Sequence, residues 1–190
     1  APDVVRKIGN WLTDRGIKWA LSDGCCGSPL MSAGMFDRAH ALREGFLEQM
    51  RRAGIKRMIT ICPGCTDEFH AEVPLDIEIV PLPEVLLAES VKSVDETGDS
   101  GLSAIELDSV TFFDSCHDRQ DMRNALAIRD LFSLYVPGAV HMEMDHHKRG
   151  ALCCGAGGAV ASYDPQITAE RAMRVLDEAI SSGAHALITM

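Results

Sequence analysis

The chain has 190 residues, of which 46% are hydrophobic and 24% charged, a composition typical of a globular protein with a substantial core. The formal net charge of −10 argues against binding to a nucleic-acid backbone, which requires clustered lysine and arginine side chains. No apolar run approaches the length needed to span a bilayer, so we expect a cytoplasmic protein.

Short β runs alternate with longer helical periodicities along the chain. In chain order, the pattern predicts a strand over 17–21, a helix over 36–53, a strand over 56–61, a strand over 77–80, a helix over 83–91, a strand over 110–113, a helix over 120–134, a strand over 140–144, a helix over 166–182 and a strand over 186–190. Gly54 and Gly183 are placed to end the helices that precede them. Strands that alternate with helices predict an α/β fold with a mostly parallel sheet.

Residues 92–104 separate two halves of the sequence. This segment is rich in Ser, Gly, Asp and Glu and has no apolar period, which predicts a linker or surface loop. We therefore expect one domain over 1–91 and another over 105–190.

The two halves repeat one another. Cys-Cys-Gly occurs at 25–27 and at 153–155, and each copy is followed by a predicted helix, a glycine and a predicted strand. The first copy continues into Cys-Pro-Gly-Cys at 62–65, whereas the second stops after its strand. Cys116 precedes the second copy, and its counterpart in the first would fall before the chain begins. We expect two pseudo-repeated layers in a fragment of a longer protein; a short protein with degenerate repeats is the alternative.

The seven cysteines favour metal or redox chemistry, because a chain with a good core does not need disulfide staples. Cys62 and Cys65 lie one helical turn apart at a predicted helix start, where exposed N–H groups and the helix dipole stabilise thiolates. Such a motif alone fits a redox dithiol, a zinc half-site or a cluster half-site. The adjacent Cys25 and Cys26 point in different directions, which suits a polynuclear cluster better than one zinc ion.

The second half carries three cysteines in comparable places. Cys116 follows a predicted strand, and Cys153 and Cys154 lie in a glycine-rich loop. His117, next to Cys116, is the best candidate for a residue that supports the ligands or transfers a proton. We expect surface, packing or polar-turn roles for the histidines at positions 40, 70, 146 and 147.

These motifs resemble the cysteine-rich (CCG) domain. The resemblance rests on the order Cys, Cys-Cys-Gly, Cys-x-x-Cys with long spacers, and on the stretches DGCCGSPLMSAG, MITICPGC, FFDSCHDR and HKRGALCCGAGG. It covers Ile17 to Met190. The domain occurs twice in one of the subunits of heterodisulfide reductase, and also in iron–sulfur subunits of glycolate oxidase, lactate utilisation systems, anaerobic glycerol-3-phosphate dehydrogenase and thiol–fumarate reductase.

The resemblance implies tandem CCG domains: the rear part of the first over 1–91, a linker over 92–104 and the front part of the second over 105–190. In heterodisulfide reductase, each five-cysteine motif holds a noncubane 4Fe–4S cluster that cleaves a disulfide substrate. By resemblance, the ligands are Cys25, Cys26, Cys62 and Cys65 in the first motif and Cys116, Cys153 and Cys154 in the second.

The resemblance also implies partners and departures from the family pattern. Electrons would arrive from a ferredoxin-like iron–sulfur subunit and a flavoprotein subunit, with membrane association only through such partners. Ser115 stands where the family usually has proline. Because each motif lacks part of its cysteine set, we expect no cluster, one incomplete cluster or a substitute metal such as zinc. We expect the second motif to be empty more often than the first.

The leading hypothesis is thus an iron–sulfur electron-transfer domain of an anaerobic oxidoreductase, which reduces a disulfide or passes electrons to a carrier. One alternative is a structural zinc-binding or docking module of a redox complex. Another is a metal-free dithiol oxidoreductase that uses Cys62 and Cys65. In air, we expect disulfides between Cys62 and Cys65, or between Cys116 and Cys153 or Cys154.

Overall fold

The fold is known from a computed structural model that describes residues 2–72, 76–97 and 107–189. Its α-helices are α1 (Pro2–Asp14), α2 (Ser28–Ser32), α3 (Phe36–Arg52), α4 (Pro63–Glu72), α5 (Leu82–Thr97), α6 (Arg123–Tyr135), α7 (Val160–Tyr163) and α8 (Pro165–Ser181), with 3-10 turns at Cys116–Asp118 and Lys148–Gly150. Its strands are β1 (Arg57–Thr60), β2 (Glu78–Pro81), β3 (Ser109–Phe113), β4 (Val140–His141) and β5 (Ala186–Thr189). Among the described residues, no helix is long and apolar enough to cross a membrane.

The strands form two small sheets, and every pair in the described part of the chain is parallel. β1 pairs with β2, placing Ile59 opposite Val80. The second sheet has the order β4-β3-β5, with Val110 opposite both His141 and Ala186. Parallel neighbours need a crossover connection, which α4 supplies between β1 and β2 and α6 supplies between β3 and β4. The predicted α/β fold with mostly parallel strands is confirmed.

The first half buries its apolar residues between α3, α4 and β2. The helix period brings Phe46 and Leu47 to one face of α3, and the Phe46 ring lies 5.6 Å from the Phe69 ring of α4. Ile77 and Ile79 complete this core, and the same hydrophobic cluster includes the buried Cys26, which lies just before α2. The cysteine loop is therefore anchored in the core rather than attached to its surface.

The second half is centred on β3, where Phe112 is almost fully buried and its ring lies edge-on to that of Phe132 at 5.9 Å. The two halves join where α5 packs along α6, and the hydroxyls of Ser90 and Tyr135 form a hydrogen bond there.

Three sequence predictions differ from the structure. Residues 17–21 alternate like a strand, but no strand of the described chain lies beside them, and the Trp19 indole N–H instead donates to Thr13 Oγ1 at 2.9 Å. β4 is shorter than 140–144 because the chain turns away after His141. α5 continues to Thr97, so residues 92–97 of the predicted linker are helical. Residues 98–106 lie outside the described part, and the domain boundaries stay a prediction.

Candidate functional site

A group of three thiols forms where the 25–27 loop meets the first turn of α4. Cys65 Sγ donates a hydrogen bond to Cys26 Sγ at 3.4 Å, and the Cys62 thiolate is the alternative acceptor for the same single proton. Cys26 is buried, Cys65 is half-buried and Cys62 is exposed. The fold thus brings together sulfurs from two distant segments, and we call Cys26, Cys62 and Cys65 the first thiol cluster.

The second segment reaches the cluster because β1 runs directly into α4. Pro63 begins the helix, where the missing N–H of proline costs no hydrogen bond, as the Cys-Pro-Gly-Cys motif predicts. The backbone N–H groups of Gly64 and Cys65 donate to the sulfur of Cys62. At the base of the turn, Thr60 Oγ1 and Thr66 Oγ1 share a buried hydrogen bond of 2.7 Å.

Two thiols of this cluster favour the thiolate. The hydrogen bond from Cys65 lowers the pKa of Cys62 to about 5, with help from the backbone N–H groups and from the nearby His117. The same donor lowers the pKa of Cys26 to about 6. The pKa of Cys65 itself is raised, because its thiol proton is held in a hydrogen bond to Cys26, with Cys62 as the alternative acceptor. At neutral pH the cluster therefore presents thiolates, the form that binds metals and attacks electrophiles.

Alkylation of the metal-free protein tests this charge state. We expect iodoacetamide to modify Cys62 with a pH profile whose midpoint lies near 5, below the ordinary thiol pKa of 9.0, because only the thiolate reacts. Cys65→Ala removes the main cause and should move the midpoint upward, whereas Cys116→Ala should not. Peptide mass spectrometry of quenched samples measures the rates. A midpoint that stays in place in Cys65→Ala would contradict the assigned cause.

The two Cys-Cys-Gly copies share one backbone conformation. Gly27 has a φ of 86° and Gly155 a φ of 80°, both in the left-handed region that favours glycine. In each copy the glycine N–H lies 3.4 Å from the first cysteine sulfur, that of Cys25 or of Cys153, and donates to it. A Cβ at Gly27 would lie 2.8 Å from the Ala39 carbonyl oxygen, so the loop fits closely against α3.

A pair of glycine substitutions separates backbone strain from this close fit. Gly34 also has a left-handed φ, of 74°, but a Cβ there would meet nothing within 4 Å. We expect Gly34→Ala to cost about 1–2 kcal/mol of unfolding free energy through strain alone. Gly27→Ala should cost about 1–3 kcal/mol more, because the loop must move away from α3. Urea denaturation measures both, and equal losses would contradict the close fit.

A second group of thiols surrounds the 3-10 turn that begins at Cys116. The Ser115 side chain caps this turn by accepting the His117 N–H at 3.3 Å, so serine supplies a cap at the usual proline position. Burial raises the pKa of Cys116, and the neighbouring Cys153 and Cys154 raise it further. Cys116 and Cys153 are therefore neighbours in this group. We call these three cysteines the second thiol cluster.

His117 connects the two clusters, since it follows Cys116 and also contacts the α4 start. A Cβ built at Gly64 would lie 3.6 Å from the His117 ring and 3.6 Å from Cys62 Sγ. His117 Nδ1 is 3.7 Å from an Asp67 carboxylate oxygen. A polar cavity of about 330 Å³, lined in part by Asp67 and His117, opens beside them. The sequence prediction placed His117 beside one cluster only; the structure places it against both.

Other predicted histidine roles fit their contacts. His70 Nε2 lies 2.6 Å from Arg123 Nη1, His146 Nδ1 lies 2.6 Å from a Glu178 carboxylate oxygen, and His147 Nδ1 lies 2.7 Å from the Met144 carbonyl oxygen. These contacts are with an arginine, a carboxylate and a backbone carbonyl, and His70 also lines the cavity beside His117.

Sequence reasoning missed Arg43, which lies behind the first thiol cluster. Its side chain is 1% exposed, and its Nε donates to the Cys26 carbonyl oxygen at 2.8 Å. The available signal was its position: it shares the helical face of Ala39, Phe46 and Leu47. A charged residue on an apolar stripe indicates a buried polar contact.

The arrangement is not that of a mononuclear metal site. Within the described ranges, no three His, Cys, Asp or Glu side chains are grouped as one metal ion requires. The donors are instead sulfurs spread over two backbone segments, with glycines between them. Such a donor set fits a group of several metal atoms better than one ion.

Comparison with known proteins agrees with the motifs. The sequence profile of the CCG cysteine-rich domain matches residues 2–70 and 110–190, most of the chain and both thiol clusters. The chain belongs to the cysteine-rich (CCG) domain family. The resemblance stated from the cysteine motifs is therefore confirmed, and so is the presence of two copies of the CCG domain.

Several curated proteins are similar to this CCG chain. It is 30% identical over 173 residues to a fumarate reductase (CoM/CoB) subunit of Methanothermobacter marburgensis, which aligns 87% of this chain with 32% of that protein. It is 26% identical over 188 residues to a dihydromethanophenazine:CoB–CoM heterodisulfide reductase subunit of Methanosarcina barkeri, covering 93% and 44%. It is 27% identical over 159 residues to the probable iron-sulfur-binding oxidoreductase FadF of Bacillus subtilis, covering 78% and 22%. The chain spans less than half the length of each of these relatives.

Proposed function

We propose that this chain is an iron–sulfur electron-transfer unit of a heterodisulfide reductase-like oxidoreductase, which reduces a disulfide or passes electrons to a carrier. The observation that carries the proposal is the convergence of Cys26, Cys62 and Cys65 from two distant segments, two of them with pKa values lowered toward the thiolate. The names of the relatives support the same class of chemistry, since they include a heterodisulfide reductase subunit and an iron-sulfur-binding oxidoreductase.

The residues of the chain fit an iron–sulfur cluster. Thiolates are the ligands that such clusters use, and when bound a cluster supplies one-electron transfer at a potential set by its surroundings. We assign the cluster to the noncubane 4Fe–4S type. The proposed ligands are Cys25, Cys26, Cys62 and Cys65 at the first site and Cys116, Cys153 and Cys154 at the second.

The surrounding residues position and tune these sulfurs. The N–H groups of Gly27 and Gly155 donate to the first cysteine of each pair, and hydrogen bonds to ligand sulfur tune the reduction potential. His117 lies against Gly64 and beside Cys116, where it can hold a proton near both sites. The open cavity next to it gives a substrate or carrier access to this face of α4.

The proposal extends to partners. A ferredoxin-like iron–sulfur subunit and a flavoprotein subunit would deliver electrons to the chain in the cytoplasm, and any association with a membrane would pass through such subunits. The relatives named as reductase subunits support a role inside a larger complex.

A second candidate function is a metal-free dithiol oxidoreductase. It is favoured by the lowered pKa of the exposed Cys62 and by the hydrogen bond that Cys65 gives it. A structural zinc site is less favoured, because the adjacent Cys25 and Cys26 point in different directions and one zinc ion rarely takes both.

Anaerobic reconstitution with ferrous iron and sulfide discriminates among these functions. We expect iron and acid-labile sulfide to co-purify with the protein and a visible charge-transfer band to appear. Binding of zinc in competition with iron and without sulfide would favour the docking module instead. A colourless, iron-free protein whose thiols cycle with a disulfide substrate would favour the dithiol enzyme and overturn the proposal.

A further inference from the structure

We propose that Arg43 is a positioning residue that holds the Cys25–Gly27 loop against α4 and thereby sets the separation of Cys26 and Cys65. The inference deepens the proposed function, since it concerns sulfurs assigned there as ligands. The contacts of Arg43 involve only the polypeptide, so the proposed role can be tested in protein without a bound cluster.

Arg43 joins the two segments that carry the first thiol cluster. Its Nε donates to the Cys26 carbonyl oxygen at 2.8 Å, which fixes the loop segment. Its Nη2 donates to Glu68 Oε2 at 2.8 Å and its Nη1 to the Glu68 carbonyl oxygen at 3.4 Å, which fixes the helix segment. Glu68 lies one turn after Cys65 on α4, so a tether to Glu68 also places Cys65.

The chemistry of the guanidinium suits this role. Its planar fork directs N–H groups to separate acceptors in fixed directions, which the single ammonium of lysine cannot reproduce. The Arg43 side chain is 1% exposed and its hydrogen bond to the Cys26 carbonyl is buried, whereas the Glu68 side chain is 22% exposed. Loss of the side chain would leave the Cys26 carbonyl without this buried donor and would release the loop from α4.

The second thiol cluster provides an internal control. It lies in the other half of the chain, and its Cys116–Cys153 contact involves neither Arg43 nor Glu68. A change that disturbs the whole fold alters both clusters, whereas loss of the Arg43 tether alters only the first.

Disulfide trapping in the metal-free protein measures the separation. Diamide oxidises two thiols to a disulfide and takes up their two protons and two electrons to become a hydrazine. In a Cys25→Ser, Cys154→Ser background, peptide mass spectrometry gives the ratio of Cys26–Cys65 to Cys62–Cys65 disulfide, and the yield of Cys116–Cys153. We expect Arg43→Met to lower the ratio roughly tenfold, the factor that corresponds to one charge-assisted hydrogen bond. The Cys116–Cys153 yield should not change.

Further variants test whether the guanidinium itself is needed and whether the effect is specific to Arg43. Arg43→Lys keeps the charge without the fork and should restore the ratio only in part. Arg51→Met, on the same helix and paired with Asp76 at the surface, should leave the ratio unchanged. If Arg43→Met does not fold, Glu68→Ala removes the partner carboxylate, which is 22% exposed, and its ratio is compared in the same way.

An unchanged ratio in Arg43→Met, or in Glu68→Ala where that variant replaces it, overturns the inference. A parallel loss of the Cys116–Cys153 disulfide also overturns it, because it would show a general effect on folding. Failure of the chain to take up iron would count against the proposed function, but it would leave this ratio and its interpretation intact.

Discussion

Replacing Cys65 with serine is expected to remove nearly all iron from the first site of the reconstituted protein. Cys65 is a proposed ligand whose sulfur lies 3.4 Å from that of Cys26, so the change removes one sulfur from the first thiol cluster. A serine hydroxyl is not ionised at neutral pH and does not replace the thiolate. Iron and sulfide per chain, with the visible spectrum, measure the loss.

Ser32→Ala is the matched control for this experiment. Ser32 is exposed at the end of α2, near the cysteine loop but without a sulfur to offer, and its replacement should leave the iron content unchanged. A Cys65→Ser protein that retains the iron of the unsubstituted chain would refute the assignment of Cys65 as a ligand.

Replacing Arg129 with methionine is expected to lower the free energy of unfolding by about 3–5 kcal/mol, since breaking a buried ion pair leaves its partner uncompensated. Arg129 forms two hydrogen bonds with Asp114, of 2.7 and 2.8 Å, and two with Glu143, each of 2.8 Å. The side chains of Asp114 and Arg129 are 4% and 9% exposed, so the carboxyl group would remain buried without its partner cation. Urea denaturation measures the change.

The effect of acid gives a second measurement on the same variant. The hydrogen bond from Arg129 lowers the pKa of Glu143. A lowered pKa in the folded state contributes stability above the ordinary carboxyl range, and that stability is lost as pH falls through the lowered value. Arg129→Met should therefore lose less stability on acidification than the unsubstituted chain.

Two control variants test why Arg129→Met loses unfolding free energy. Arg52→Met removes an exposed arginine that pairs with Glu48 and should cost at most about 0.5 kcal/mol. Adding Asp114→Leu to Arg129→Met should recover part of the stability, because it removes the stranded charge. If the double variant is no more stable than Arg129→Met, the loss does not come from the buried carboxylate.

Local signals in the sequence were enough for much of the fold. The apolar period of α3, the glycine at 54 that ends it and the Pro-Gly pair at 63–64 that starts α4 each act within a few residues. The alternation over 17–21 predicted a strand that the structure does not contain. A strand also needs a neighbouring strand, and a local sequence pattern does not show whether one is present.

The sequence predicted two ligand sets but not the contacts between the sulfurs. Spacing alone suggested that Cys62 and Cys65 would pair, whereas Cys65 also donates to Cys26 from a distant loop. The buried contact of Arg43 with that loop depends on how α3 packs against α4. Such contacts depend on packing between elements, which periodicity within one element does not describe.

The burial of Cys26 in the core of the first half links occupancy of the site to the melting of the protein. Cys26 belongs to the same hydrophobic cluster as Phe46, Leu47 and Phe69. A ligand bound to the Cys26 sulfur therefore also stabilises the packing of these three side chains. By mass action, anything that binds the folded chain and not the unfolded chain raises its melting temperature with concentration. Calorimetry can therefore detect a colourless ligand that binds the Cys26 sulfur of the folded chain more tightly than the thiols of the unfolded chain.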